Sequence, residues 1–216
     1  MRVIVRLATV TLPLVLVIGC NKSEPKPDLQ TTAASSDHPP TQPTNQAASR
    51  DLVEHPTYKL WGQFPAGTTV TQRTTTDSEL TPGQTVTTIV YTIKERTEDH
   101  IIIESQATTT YHGGRVEMNP PNEVRSPRLI PLPPGVNKDA WGVEPKSDQT
   151  GEEILTVSGK PYPSRWRKSR STTDAGEMFT TTWTSSQMPG GLVKSVSQVP
   201  AVKETTTIEV IEVKIP

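Results

Sequence analysis

The feature that most constrains the fold is an alternation of apolar and polar residues with period two, which begins near Leu52 and continues to the last residue. Ile89, Tyr91 and Ile93 illustrate it, because alternate residues of a strand line the same face. Thr and other β-branched residues dominate these stretches, and Gly, Pro, Asn and Asp separate them. The pattern predicts an all-β domain over residues 52–216.

Turn signals divide this domain into about ten strands. The expected strands lie near residues 58–64, 68–76, 85–96, 101–107, 115–118, 153–158, 162–168, 178–185, 192–199 and 208–215. In the last strand the apolar parity slips at Val210–Ile211, which a β-bulge would reconcile with one buried face; a strand buried on both faces is the alternative. We expect a single curved antiparallel sheet or an open half-barrel.

The segment 119–151 departs from this pattern because it is rich in proline. Proline removes a ladder donor, so the segment cannot form a central strand. We expect it to dock on the sheet as a lid, with a short helix near Asn137–Trp141. The apolar residues available for docking are Leu129, Ile130, Leu132, Val136 and Trp141.

The N-terminus has the pattern of a signal peptide. Arg2 and Arg6 form a short basic region, and an apolar run follows it from Leu7 to Ile18. As a helix this run is about 18 Å long at ~1.5 Å per residue, too short for a hydrocarbon core of ~30 Å. We therefore expect a removable signal peptide over residues 1–19.

The apolar run ends in Gly19-Cys20, which the polar Asn21 follows. Here the sequence resembles bacterial lipoprotein precursors, in which a short aliphatic run ends in Gly or Ala before a Cys. The resemblance implies cleavage between Gly19 and Cys20, thioether lipidation of Cys20 and acylation of the new amino terminus. Val17 stands where that family usually has Leu. An ordinary secretory peptide that contains a Cys is the alternative.

Residues 20–51 read as the lipidated Cys and a linker, rich in Pro, Ser, Thr and Gln, with Leu29 as a lone large apolar residue. Such a segment buries too little apolar surface to offset the entropy of ordering, so we expect disorder. About 30 flexible residues span roughly 30 Å root mean square. The expected location is the cell envelope, lipid-anchored to a membrane and facing the periplasm or the outer surface.

The second half of the chain is similar to the half-barrel domains of periplasmic lipoprotein carriers. The segments that carry this resemblance are Leu155–Lys160, Trp166, Thr182–Ser185 and Pro189–Lys194. It implies a convex sheet around an apolar cavity that holds acyl chains, and it assigns no ligand-binding residue. From the residues themselves, Tyr91, Trp166 and Trp183 are the candidate ligand face; the alternative is that the tryptophans are core residues of the sheet.

Composition excludes several function classes. The chain has 22 Lys and Arg against 23 Asp and Glu, so it is no strongly basic nucleic-acid binder. A single Cys excludes an intramolecular disulfide and a multi-thiolate metal site. The sequence carries no nucleophile elbow, phosphate-binding loop or His-Glu-x-x-His motif. We therefore predict no catalytic residue, metal or cofactor, and an enzyme would need His100 or His112 beside a carboxylate or Ser in a cleft.

These observations predict a non-enzymatic envelope lipoprotein with a ligand-binding or carrier-like β domain and an apolar or lipid-like ligand. Its partners would be the membrane, through the N-terminal lipid, and such a ligand or an envelope protein. Two alternatives remain: a structural or protein-interaction lipoprotein with a filled core, and an enzyme with a site assembled from dispersed residues.

Overall fold

The computed structural model describes residues 51–79, 81–144 and 146–216. The predicted signal peptide, cleavage site and linker up to residue 50 lie outside the described residues. The strands are β1 (Leu52–Glu54), β2 (Thr69–Ser78), β3 (Thr81–Arg96), β4 (His100–Thr110), β5 (Val116–Met118), β6 (Asn122–Pro127), β7 (Leu129–Pro131), β8 (Gln149–Val157), β9 (Lys160–Thr173), β10 (Gly176–Thr184), β11 (Leu192–Val199) and β12 (Glu204–Lys214). The helices are α1 (Pro56–Trp61) and two 3₁₀ helices at Lys138–Ala140 and Pro200–Val202.

Ten of these strands form one antiparallel sheet in the order β5-β4-β3-β2-β12-β11-β10-β9-β8, in which β6 also pairs with β4. The sheet does not close into a barrel. β1 and β7 form a separate two-stranded antiparallel sheet. The expectation of an all-β domain built on an open antiparallel sheet is therefore confirmed.

The predicted bulge in the last strand is confirmed. Val210 pairs with Gln72 and Glu212 pairs with Thr71, so Ile211 is the extra residue on β12. Val210 is buried whereas Ile211 is exposed. The bulge lets the residues on both sides of it keep their pairing with β2 despite the change of parity in the sequence.

The strand expected near residues 58–64 is wrong, because the chain forms helix α1 there. Pro56 occupies the first turn, where a missing N–H costs nothing, and the His55 Nδ1 accepts a hydrogen bond from the Thr57 backbone N–H at 3.1 Å. Tyr58 and Trp61, three residues apart, share one helix face and are both buried. In so short a run the helical and strand periods are hard to tell apart.

The proline-rich segment 119–151 adds pieces to the edge of the fold. β6 pairs with the outer side of β4, and β7 pairs with β1, so the expectation that no central strand forms here is confirmed. The expected helix is reduced to the single 3₁₀ turn at Lys138–Ala140. Leu129 and Val136 are exposed and do not pack as expected of a lid. Ile130, Leu132 and Trp141 are half-buried, and the Trp141 Nε1–H donates a hydrogen bond to the Glu54 carbonyl on β1.

The hydrophobic core lies where α1 and the turn between β10 and β11 meet the sheet. Its fully buried members include Ile93, Val70 and Met188. The Trp61 and Tyr91 rings pack with their centroids 5.8 Å apart. A Cβ on Gly190 would lie 2.6 Å from Cζ2 of Trp61, and the positive φ of +79° also requires glycine there. No helix within the described ranges is long and apolar enough to cross a bilayer.

Candidate functional site

Two of the three candidate ligand-face residues are brought together. Trp166 on β9 and Trp183 on β10 are direct partners in the antiparallel ladder. The hairpin between these strands turns after Thr173 and resumes pairing at Gly176, and the two tryptophans lie equally far from that turn. Partners in a ladder share a face of the sheet, so the two indoles lie side by side on adjacent strands. This face is called the tryptophan face below.

Charged groups surround both indoles. The Nε1–H of Trp183 donates a hydrogen bond to Oε2 of Glu153 at 2.8 Å. The Lys194 ammonium lies 5.6 Å from the ring centroid of Trp183, and the Lys168 ammonium lies 5.6 Å from that of Trp166. These distances are within the range of cation–π attraction. The tryptophan face therefore combines two aromatic rings with groups of both charges.

Gly151 on β8 allows Trp166 to lie close to the edge strand. Gly151 is the ladder partner of Trp166. A Cβ added to Gly151 would lie 2.5 Å from Cζ2 and 2.7 Å from Nε1 of that indole. The Trp166 ring therefore covers the backbone of β8 at Gly151, the one glycine of that strand. The ring fills the space that a side chain at this position would occupy.

A cleft of about 260 Å³ lies on β8, β9 and β10. Neither tryptophan lines it, but Lys168, which does, places its ammonium group over the ring of Trp166. Phe179, Thr181 and Trp183 alternate along β10 and therefore share a face, and Lys168 pairs with Thr181 from β9. Phe179 is 42% exposed. The residues that line the cleft are Asp148, Gln149, Lys168, Ser169, Phe179, Thr180 and Thr181.

A second cleft, of about 550 Å³, lies on the same three strands nearer the turn between β10 and β11. It is lined by Glu152, Glu153, Ile154, Pro163, Ser164, Arg165, Thr184, Ser185 and Ser186. Both clefts are bordered largely by polar and charged side chains. Sequence reasoning missed Phe179, Lys168, Gln149 and Thr181 as candidate site residues. The alternation along β10 was the available signal for Phe179 and Thr181.

Tyr91, the third candidate, belongs to a different part of the sheet. Its ladder partners are Val70 and Ser105, and its ring packs against Trp61 and the core. Burial raises the pKa of the Tyr91 phenol above its usual value. The structure therefore brings Trp166 and Trp183 together and does not bring Tyr91 to them. Trp183 also packs, partly buried, against the core, as the alternative reading of the tryptophans expects.

His100 has a carboxylate neighbour, as the enzyme alternative requires. Its Nε2 lies 3.1 Å from Oε1 of Glu95, and its Nδ1 lies 2.9 Å from Oγ1 of Thr97. The same Thr97 oxygen accepts hydrogen bonds from the backbone N–H groups of Asp99 and His100. These contacts organise the turn between β3 and β4, and neither of the two clefts above includes His100. No group of three or more His, Cys, Asp or Glu placed to hold a metal occurs within the described ranges.

His112 lies against a glycine rather than a carboxylate. A Cβ on Gly83 would fall 1.9 Å from the His112 Nδ1, so the imidazole occupies the space that a side chain would need. Gly19 and Cys20, the predicted cleavage and lipidation residues, lie outside the described residues.

The chain matches no protein-family model and no curated protein sequence. Three solved structures align with it over about the same share of the chain. A candidate exported protein with a YMCC-like fold from Bacteroides fragilis NCTC 9343 is 8% identical, with a TM-score of 0.40 over 70% of this chain and 97% of that one. A candidate lipoprotein from Parabacteroides distasonis ATCC 8503 is 12% identical, with a TM-score of 0.38 and the same two coverages.

The third is a DUF1329 family protein from Desulfovibrio piger ATCC 29098, 7% identical, with a TM-score of 0.23 over 69% of this chain and 86% of that one. At these TM-scores the alignments carry no argument about the fold or the function of this chain.

Proposed function

We propose that this chain is a membrane-anchored envelope lipoprotein whose β domain binds a ligand on the tryptophan face without catalysis. The observation that carries the binding function is the pairing of Trp166 and Trp183 beside an open cleft lined by Phe179, Lys168 and Thr181. Aromatic rings beside several hydrogen-bonding side chains offer a ligand both apolar contact and polar recognition. The anchor at Cys20 rests on the sequence alone.

The packing of the core supports a ligand on the surface of the sheet rather than one enclosed within it. Ile93, Val70 and Met188 are fully buried, and Trp61 and Tyr91 fill the space beside α1. The clefts on β8, β9 and β10 are instead open to solvent-exposed side chains such as Phe179. A surface site of this kind suits a ligand that remains partly solvated.

The contacts of His100 support a non-enzymatic role. One of its ring nitrogens faces Glu95 and the other faces Thr97, so both are engaged within the β3–β4 turn. The Nδ1 of His100 also lies 3.3 Å from Nη2 of Arg125, and His100 lines neither of the two clefts. His100 is therefore better explained as a residue that fixes the turn.

The binding function can be tested by hydrogen–deuterium exchange on the full-length protein. Addition of a detergent extract of the native envelope should slow amide exchange in β9 and β10, while β3 and β4 exchange as before. Native mass spectrometry of the same sample should show a bound small molecule. Unchanged exchange together with no adduct in repeated preparations would contradict the proposal.

The anchor can be tested by fractionation. Cys20→Ala should release the protein from the membrane fraction, and globomycin, which blocks the lipoprotein signal peptidase, should leave the unprocessed precursor. Ser23→Ala, which changes a neighbouring residue outside the lipobox, is the matched control and should fractionate as the native protein does. Membrane association that persists in Cys20→Ala would refute a lipid anchor at this residue.

A second candidate function, protein interaction, is favoured by the outer edge of β8. β8 pairs only with β9 along its length, and Ile154 on it is 68% exposed. An exposed strand edge can accept a strand from another chain. Native mass spectrometry separates the two candidates, because a protein partner adds the mass of a polypeptide and a ligand does not.

A further inference from the structure

The lining of the smaller cleft has a balanced set of polar groups. On the face that carries Phe179, Gln149 contributes an amide, Lys168 an ammonium group and Thr181 a hydroxyl. Asp148, just before β8, adds a carboxylate, whereas the side chains of Ser169 and Thr180 alternate to the opposite face. Phe179 adds an exposed aromatic ring. The cleft therefore offers hydrogen-bond donors and acceptors together with one apolar surface.

The charges at the cleft nearly cancel. No carboxylate of the described residues lies within ion-pair distance of Lys168, whose ammonium group lies over Trp166, and the Asp148 carboxylate opposes its charge. The nearby Arg170 is paired with Glu177 at 3.5 Å. A polyanion would meet the Asp148 carboxylate, and an acyl chain would leave the polar lining without partners, which is costly. A neutral ligand with many hydroxyl groups avoids both costs.

The spacing of the aromatic rings suits an extended ligand. Phe179 and Trp183 are four residues apart on β10, which is about 13 Å along a strand. Thr181 lies between them on the same face, and Lys168 lies beside it on β9. A chain of sugar rings has apolar ring faces and hydroxyl edges, so it can place the former against the aromatic side chains and the latter against the polar ones.

We infer that this cleft, with the adjoining tryptophan pair, binds a neutral glycan chain. The inference rests on the proposed function, because it names the ligand class of the same face. Phe179 and Trp183 hold the ring faces, and Asp148, Gln149 and Lys168 bind the hydroxyl groups.

The inference is tested on residues 20–216 carrying Cys20→Ala, which lacks both the apolar leader and the lipid and therefore needs no detergent. The protein is titrated with three neutral hexaoses, made of β-1,4-glucose, β-1,4-N-acetylglucosamine and α-1,4-glucose, and followed by calorimetry and tryptophan fluorescence. At least one hexaose should bind and change the fluorescence. Phe179→Ala should weaken that binding about fivefold, as expected for loss of one aromatic contact. Val116→Ala removes a side chain that is 61% exposed at the far edge of the sheet, and it should leave binding unchanged.

The other outcomes overturn the inference in distinguishable ways. If polygalacturonate or phosphatidylglycerol vesicles bind and no neutral hexaose does, the ligand class is wrong while the proposed binding function stands. If a hexaose binds equally well to Phe179→Ala and Val116→Ala, the location is wrong. If no probe binds and the envelope extract gives no protection of β9 and β10, the inference and the proposed function both fail.

Discussion

The contact between Gly151 and Trp166 predicts that Gly151→Ala destabilises the protein when Trp166 is present and stabilises it when Trp166 is replaced by alanine. In Gly151→Ala the new Cβ would lie 2.5 Å from Cζ2 of the indole, well inside ordinary van der Waals contact. The φ of Gly151 is not in the left-handed region, so the backbone itself accepts alanine. The ring or strand β8 must therefore move to make room.

The magnitude follows from two opposing terms. Overpacking a contact of this kind costs about 1–3 kcal/mol. Replacing glycine by alanine at a compatible backbone position stabilises by about 0.4–1 kcal/mol, because the unfolded chain loses freedom. We expect Gly151→Ala to lower the free energy of unfolding by about 0.5–2 kcal/mol, a decrease in Tm of roughly 2–6 °C for a domain of this size.

The assay is a double-mutant cycle measured by urea unfolding of residues 20–216 carrying Cys20→Ala. In a Trp166→Ala background the obstacle is gone, so Gly151→Ala should raise the free energy of unfolding by about 0.4–1 kcal/mol. The reasoning is refuted if Gly151→Ala stabilises the protein that retains Trp166, or if its effect is the same in both backgrounds.

Three further predictions concern stability. Burial lowers the pKa of His55 below 6.5, so the unfolded chain binds more protons, and the free energy of unfolding should fall as the pH drops from about 7.5 to 5.5. His55→Asn keeps a capping acceptor and should flatten this pH dependence in urea titrations. An equal dependence of the free energy of unfolding on pH in both proteins would contradict the prediction. Tyr58→Phe removes the 2.8 Å hydrogen bond from the phenol to the Thr97 carbonyl. It should lower the free energy of unfolding by about 0.5–1.5 kcal/mol in thermal unfolding, and an unchanged Tm would contradict this. Ile93→Ala, at a side chain with 0% exposure, should cost about 2–5 kcal/mol, whereas Ile154→Ala, at 68% exposure, should stay within about 0.5 kcal/mol; similar costs for the two would show that the core is misplaced.

Much of the sheet could be predicted from period two, since each strand is an extended segment whose alternation is local. Leu192–Val199 was predicted with the bounds that β11 has. The bulge at Val210–Ile211 could be inferred because a parity slip in an otherwise regular strand has few physical explanations. Strand bounds elsewhere differ because hydrogen bonding continues beyond the apolar residues that mark each strand.

The site was less predictable because it depends on register. Alternation places Trp183 on one face of its strand and Trp166 on one face of another, but it does not say which residue each one opposes. That pairing is fixed by the two-residue turn between Thr173 and Gly176, whose signal is weaker than an Asn-Gly pair. The strand expected near 58–64 was wrong although the signals for a helix are local. His55 and Pro56 mark the start of α1, but the apolar run that follows is too short to distinguish a helical period from a strand period.

The position of β12 in the sheet sets the order in which the domain can assemble. β12 lies between β2 and β11. Among the described strands of the sheet, it is the one whose ladder hydrogen bonds link the group from β2 to β6 with the group from β8 to β11. Both groups precede β12 along the chain, so β2 and β11 each keep an unpaired edge until β12 has paired between them. Such dependence on contacts between distant parts of the chain makes folding slow.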